Sequence, residues 1–230
     1  MKSSLLFSIV VTAILTLSCG KSAKADRHLV DSLERRVPEL IMAYDFEEDS
    51  SAIKEAIGII DRLLAMKPDN FTYKAEKIQL LVYDGQYDLA GTMIVNEDFV
   101  GRIYPDDFFP GYEDLLLANL DALKANDAGD QAGVSQSLDR MQRILKDWIF
   151  SEHFDFKDFC DNMSSDSQSI IFKEAMFLKW LNVLYTQGGN EAVQQELRRV
   201  INDYGVADQL NTFTQDTYGY TTVLQPHIFM

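Results

Sequence analysis

Imidazole and thiol groups are scarce in this chain of 230 residues, which has three histidines and two cysteines. His28 stands near the start, His227 near the end, and Cys19 closes an apolar run. Only His153 and Cys160 lie close enough in sequence to work together. A thiol becomes a nucleophile when a base stands beside it. A spacing of seven residues puts both groups on one helix face. The segment around them, EHFDFKDFCDN over residues 152–162, adds Glu152, Asp155, Asp158 and Asp161. Carboxylate, imidazole and thiolate are all metal ligands. A hydrolase using His153 with a carboxylate in an inter-helix cleft is one reading of such a set. The opposing observation is the interleaving of Phe150, Phe154, Phe156 and Phe159, which reads as packing with the acids facing water. The chain has no HExxH, GxSxG, P-loop or GxGxxG pattern. The expectation is a protein with no catalytic residue, no metal and no cofactor.

Cys19 is the more informative thiol. Met1-Lys2 is a short positive start, Leu5–Leu17 is apolar, and Ser18-Cys19-Gly20 closes the run. A charged start, a short apolar core and a small-residue exit describe a secretory signal. The run is too short for a bilayer span, which takes about 20 apolar residues. The 15–19 stretch resembles the lipobox of bacterial lipoproteins, in which the cysteine receives a diacylglycerol and becomes the new N-terminus. Thr16 departs from that pattern, which has an apolar residue there. The resemblance implies a signal peptide over residues 1–18, lipidation at Cys19 with palmitate-type chains, and a tether over 19–26. Two or more acyl chains give a durable anchor. Some lipoproteins carry surface-export acids just after the cysteine; Gly20-Lys21-Ser22-Ala23-Lys24 has none, so the resemblance implies an outer-membrane protein facing the periplasm.

The net charge is −15, and removal of Lys2 with the signal makes the remainder one charge more negative. Nucleic-acid binding needs a basic face, so no nucleic-acid partner is expected. Cys160 is the single thiol left beside Cys19, so an intrachain disulfide is not expected.

The body reads as all-α. Ile53, Ile57, Ile60 and Leu64 recur at helical spacing, as do Val134, Leu138, Met141, Leu145 and Trp148. Ile170, Met176, Phe177, Trp180, Leu181 and Leu184 form a third stripe. Such wide apolar faces are core faces that must meet another helix. Over residues 52–90 the chain resembles the tetratricopeptide repeat, a 34-residue pair of antiparallel helices. With Pro68 at the family's late proline, Ala56 takes the small position of a second helix. Gly85 then falls at an inter-helix turn, with Tyr87 and Ala90 at the aromatic and small positions beyond it. Ala56 and Ala90 are 34 residues apart. Upstream, Pro38–Asp45 reads as the first helix of the first repeat. Downstream, Gly111–Ala125 with Gly129–Ile149, and Asp166–Gln187 with Asn190–Asp203 about a break at Gly188-Gly189, read as two more hairpins. The resemblance implies a TPR-like right-handed solenoid of about four hairpins over residues 27–207. Residues 208–230, rich in Thr, Tyr and Phe, read as an irregular C-terminal tail docking on it.

Residues 95–112 form a long connection crowded with aromatics. Long connections are often functional. Tyr104, Phe108, Phe109 and Tyr112 are therefore candidate ligand- or partner-binding residues; the competing reading has Phe108 and Phe109 plugging a gap between helix pairs. The leading expectation is a membrane-anchored, non-catalytic helical-repeat scaffold that binds a protein or peptide partner in the cell envelope. The alternative is a carbohydrate-binding accessory lipoprotein using aromatics at 99–112 and 213–220.

Overall fold

The computed structural model describes residues 27–46, 49–96, 109–215, 218–226 and 228. Among them the regular structure is entirely helical. Helix α1 covers residues 27–46. It is followed by α2 (Ser50–Met66), α3 (Phe71–Tyr83) and α4 (Tyr87–Asn96). Then come α5 (Tyr112–Asp127), α6 (Gln131–Ile149), the short α7 (Phe156–Asn162) and the long α8 (Gln168–Tyr204). A 3₁₀ turn at Asn211–Thr214 opens the tail. The chain divides into two compact units, Met1–Leu80 and Leu81–Met230.

In the first unit, α1 is already helical at residue 27, the first described residue, and runs through Pro38. Proline is favoured at a helix start and disfavoured inside. Here Val30, Leu33, Val37 and Leu40, spaced 3, 4 and 3, are all buried, and that continuous face holds the helix together across Pro38. In α2 the buried face is Ala52, Ile53, Ala56, Ile59, Ile60 and Leu63. Ile57 and Leu64 lie at its edge, so the face is rotated slightly from the expected stripe. The fully buried Ala56 explains the rotation, because a small side chain allows close approach at the centre. Pro68 stands in the turn after α2. Lys67 Nζ meets the Tyr73 hydroxyl at 3.5 Å next to the turn and Lys77 of α3 reaches Asp61 of α2 at 2.7 Å further from it, so the two helices run antiparallel. The Tyr73 hydroxyl donates to the Glu34 carboxylate, tying α3 to α1.

The second unit contains α4 to the tail. Gly85 turns the chain into α4 with φ of +72°, a conformation that costs other residues steric energy. Ala90 of α4 is fully buried, as Ala56 is in α2. Lys124 meets Asp88 at 2.6 Å, and Tyr87 meets Asp127 at 2.5 Å, so α4 and α5 are antiparallel. Asp130 caps α6 by accepting from the Gly133 N–H at 3.0 Å. The α6 stripe of Val134, Leu138, Met141, Leu145 and Trp148 is buried throughout. Helix α8 loses helical geometry at Gly188 and at Gly189, whose φ is +67°. Trp148 meets Phe172 while Asp139 meets Gln187, so the first half, 168–187, runs antiparallel to α6. Glu196 meets Lys146 at 3.2 Å, which brings the second half, 190–204, back along α6. The hairpin expected at Gly188-Gly189 is thus present.

Candidate functional site

His153 and Cys160 occupy different environments. His153 is exposed, whereas Cys160 is buried on α7. Burial, with Asp161 nearby, pushes the Cys160 thiol up to about 12. A thiol protonated at neutral pH is a poor nucleophile and a poor metal ligand. Phe154, Phe156 and Phe159 are buried in one ring cluster with Phe177 and Trp180. Among the described residues, no group of three or more His, Cys, Asp and Glu side chains comes together in a way that could hold a metal ion.

Of the four aromatic candidates, Tyr104 and Phe108 lie outside the described residues, as do Cys19 and the signal segment. Phe109 and Tyr112 are buried. Phe109 stacks on Trp148 with ring centroids 4.4 Å apart, and Tyr112 meets Phe172 edge-on at 5.8 Å. These two rings are spent on packing α5 against α6 and α8. In the tail, Phe213 and Tyr220 are buried as well. Sugar stacking needs an open ring face, and these four rings do not present one.

Two surfaces stand out by the charge they carry. In the first unit a groove of about 860 Å³ lies between α1 and α2, lined by His28, Arg35, Arg36, Ile59 and Arg62 among others. Arg36 is held by Glu39 at 3.0 Å and Glu55 at 3.3 Å. Arg35 and Arg62 are exposed. In a chain of net charge −15, three arginines in one groove are a local exception.

The second surface lies under the tail, wholly within the second unit. Asn119 of α5 is fully buried, and Lys179 of α8 is only 5% exposed. They line a cavity of about 130 Å³ with Asn182, Thr221, Thr222, Val223 and Gln225. The helices hold the tail here through its backbone. Asn182 Oδ1 accepts from the Thr221 N–H at 3.1 Å, and Thr186 Oγ1 accepts from the Val223 N–H at 3.0 Å. Asn119 Nδ2 donates to the Val223 carbonyl at 3.5 Å, and Lys179 Nζ donates to the Ile228 carbonyl at 3.4 Å. Both of these bonds are long. Asn119 Oδ1 is buried without a hydrogen-bond partner. No carboxylate pairs with Lys179 among the described residues, and burial lowers its ammonium from 10.5 to about 8. A buried lysine is rare unless paired, and a strongly shifted group lining a cavity marks a candidate site.

No helix among the described residues is long and apolar enough to cross a membrane. No protein-family model, curated protein or solved structure matches the chain.

Proposed function

We propose that the chain is a lipid-anchored, non-catalytic scaffold of the bacterial cell envelope. Its helical hairpins form a TPR-like right-handed solenoid of about four hairpins that presents a surface to a protein or peptide partner. The observation that supports this best is the repeat frame. Ala56 and Ala90, one 34-residue period apart, are both fully buried in their helices. Pro68 and Gly85 stand in the turns where that frame requires them. The groove between α1 and α2 supplies a partner surface, with Arg35 and Arg62 offering charge to an acidic segment. Cys19 supplies the anchor, on the outer membrane and facing the periplasm.

One cellular experiment tests both parts. A photo-crosslinking residue replaces the exposed Ser32, which lines the same groove and leaves both arginines in place, in the full chain and in a Cys19→Ser version. The reading expects a discrete protein adduct from the anchored form, a diacylglyceryl mass on Cys19, and movement of the Cys19→Ser protein into the soluble fraction. An unmodified Cys19 overturns the anchor. A Cys19-modified protein with no adduct from this groove overturns the scaffold.

A further inference from the structure

We propose that the cavity between α5, the first half of α8 and residues 221–225 binds a small carboxylate that also carries a hydroxyl or ammonium donor. This goes beyond the scaffold reading and does not rest on it. The argument starts from the imbalance of the cavity walls. Lys179 brings a cation whose one hydrogen bond goes to a carbonyl at 3.4 Å, so most of its donor capacity is unused. Asn182 spends Oδ1 on the Thr221 N–H, which leaves Nδ2 as a second donor. Asn119 spends Nδ2 on the Val223 carbonyl, which fixes its amide orientation and leaves Oδ1 as an unpartnered acceptor. Two donors, one of them charged, and one acceptor therefore line one small space.

The chemistry of the complement follows. A carboxylate receives the Lys179 ammonium and the Asn182 amide, and charge-assisted bonds of this kind are the strong ones. A hydroxyl or ammonium on the same molecule donates to Asn119 Oδ1. A space of about 130 Å³ approaches the roughly 150 Å³ of an engineered core cavity that holds benzene, so the ligand has about six heavy atoms. Lactate and alanine have that size and both functions. Residues 221–225 form one wall, held through the Thr221 and Val223 N–H groups, and Thr221 and Gln225 are exposed, so the cavity opens to solvent beside the tail.

The probes are lactate, alanine and acetate, titrated into the full chain by calorimetry and by amide NMR. Lactate or alanine should bind, with slowed exchange of the Thr221 and Val223 amides. Acetate, lacking the donor, should bind about tenfold more weakly. Lys179→Met keeps the volume and removes the charge, so it should fold and lose binding by about tenfold or more. Asn182→Asp places a carboxylate beside the ammonium and should also abolish binding while the chain stays folded. No heat and no shift with lactate or alanine up to about 10 mM, a concentration at which weak millimolar binding is visible, overturns the site and leaves a cavity filled by water. Equal binding by folded Lys179→Met overturns the assigned cation, and acetate binding as tightly as lactate overturns the role of Asn119.

Discussion

Phe177 and Lys179 stand two residues apart on α8, and both are buried, but their surroundings differ in kind. Phe177 is fully enclosed by other rings. It lies 5.5–5.8 Å, centroid to centroid, from Phe156, Phe159, Trp180 and Phe213. That face is held by burial and ring packing, although the buried Trp180 indole N–H within it has no hydrogen-bond partner. Lys179 is enclosed by amides, hydroxyls and tail backbone, with one long hydrogen bond and an adjoining cavity. The ring face is a closed core with one indole N–H unpaired; the polar face leaves a buried charge under-satisfied beside a cavity, and that difference marks it as the candidate site.

The largest break in this comparison should come from Phe177→Ala. Removing a fully buried ring costs about 3–5 kcal/mol, read as a lower urea midpoint. A loss below about 1 kcal/mol would mean that the ring cluster is not the core of the second unit. Cys160 sharpens the same side. With its thiol held near 12 rather than 9.0, the thiolate at pH 8 is about a thousandfold scarcer, and native alkylation should be slower than in denaturant by about that factor. The folded chain keeps this proton where the unfolded chain loses it, so the Cys160 contribution to stability declines as pH rises from 9 towards 12. Alkylation at the same rate in both states would show that α7 does not bury the thiol.

On the polar side the sign reverses. Lys179 in the folded chain titrates near 8 against 10.5 unfolded. The unfolded state binds more protons between those values, so this group makes stability rise with pH over that window. Its full penalty, about 3 kcal/mol, applies below the folded value. Lys179→Met should therefore stabilise the chain by about 1–3 kcal/mol at neutral pH. The difference between wild type and Lys179→Met should shrink as pH rises from 8 to 10.5, and taking the difference cancels the Cys160 and tyrosine contributions. A destabilised Lys179→Met at neutral pH would mean that the ammonium is satisfied where it sits.

This contrast also marks what was legible in the sequence. The ring cluster and the stripes of α6 and α8 follow from local spacing, so Val134, Leu138, Met141, Phe177 and Trp180 are readable as core without any partner in view. So is the break at Gly188-Gly189, because two adjacent glycines end a helical pattern locally. The rotation of the α2 face was not legible, since it depends on how closely Ala56 is approached. The start of α1 was misread at Pro38 because proline punctuates helices, while the apolar spacing from Val30 to Leu40 overrode it. Asn119 and Lys179 were invisible for a stronger reason. Asn119 accepts its place from Val223, 104 residues away in sequence, and Lys179 from Ile228, 49 residues away. No local pattern encodes a burial that a distant tail imposes.

The smallest effect concerns the turn that aims Phe154 and Phe156 into the ring cluster. Asp155, between them, has φ of +49°, the one non-glycine residue with positive φ among the described residues. Its carboxylate accepts from the Asp158 N–H at 3.2 Å and so caps α7. Two local terms therefore oppose each other at one residue: the left-handed backbone costs about 1–2 kcal/mol, and the cap returns about 1 kcal/mol. Asp155→Ala keeps the strain and loses the cap, so it should lower stability by about 1 kcal/mol. Asp155→Gly loses the cap but releases the strain, and should stay within about 0.5 kcal/mol of wild type. Asp155→Asn retains an acceptor and tolerates the left-handed region, and should also be near neutral. If Gly and Ala are equally destabilising in urea unfolding, the backbone at this turn is not strained. The aromatic face then owes its aim to ring packing alone, as the polar face owes its burial to the tail.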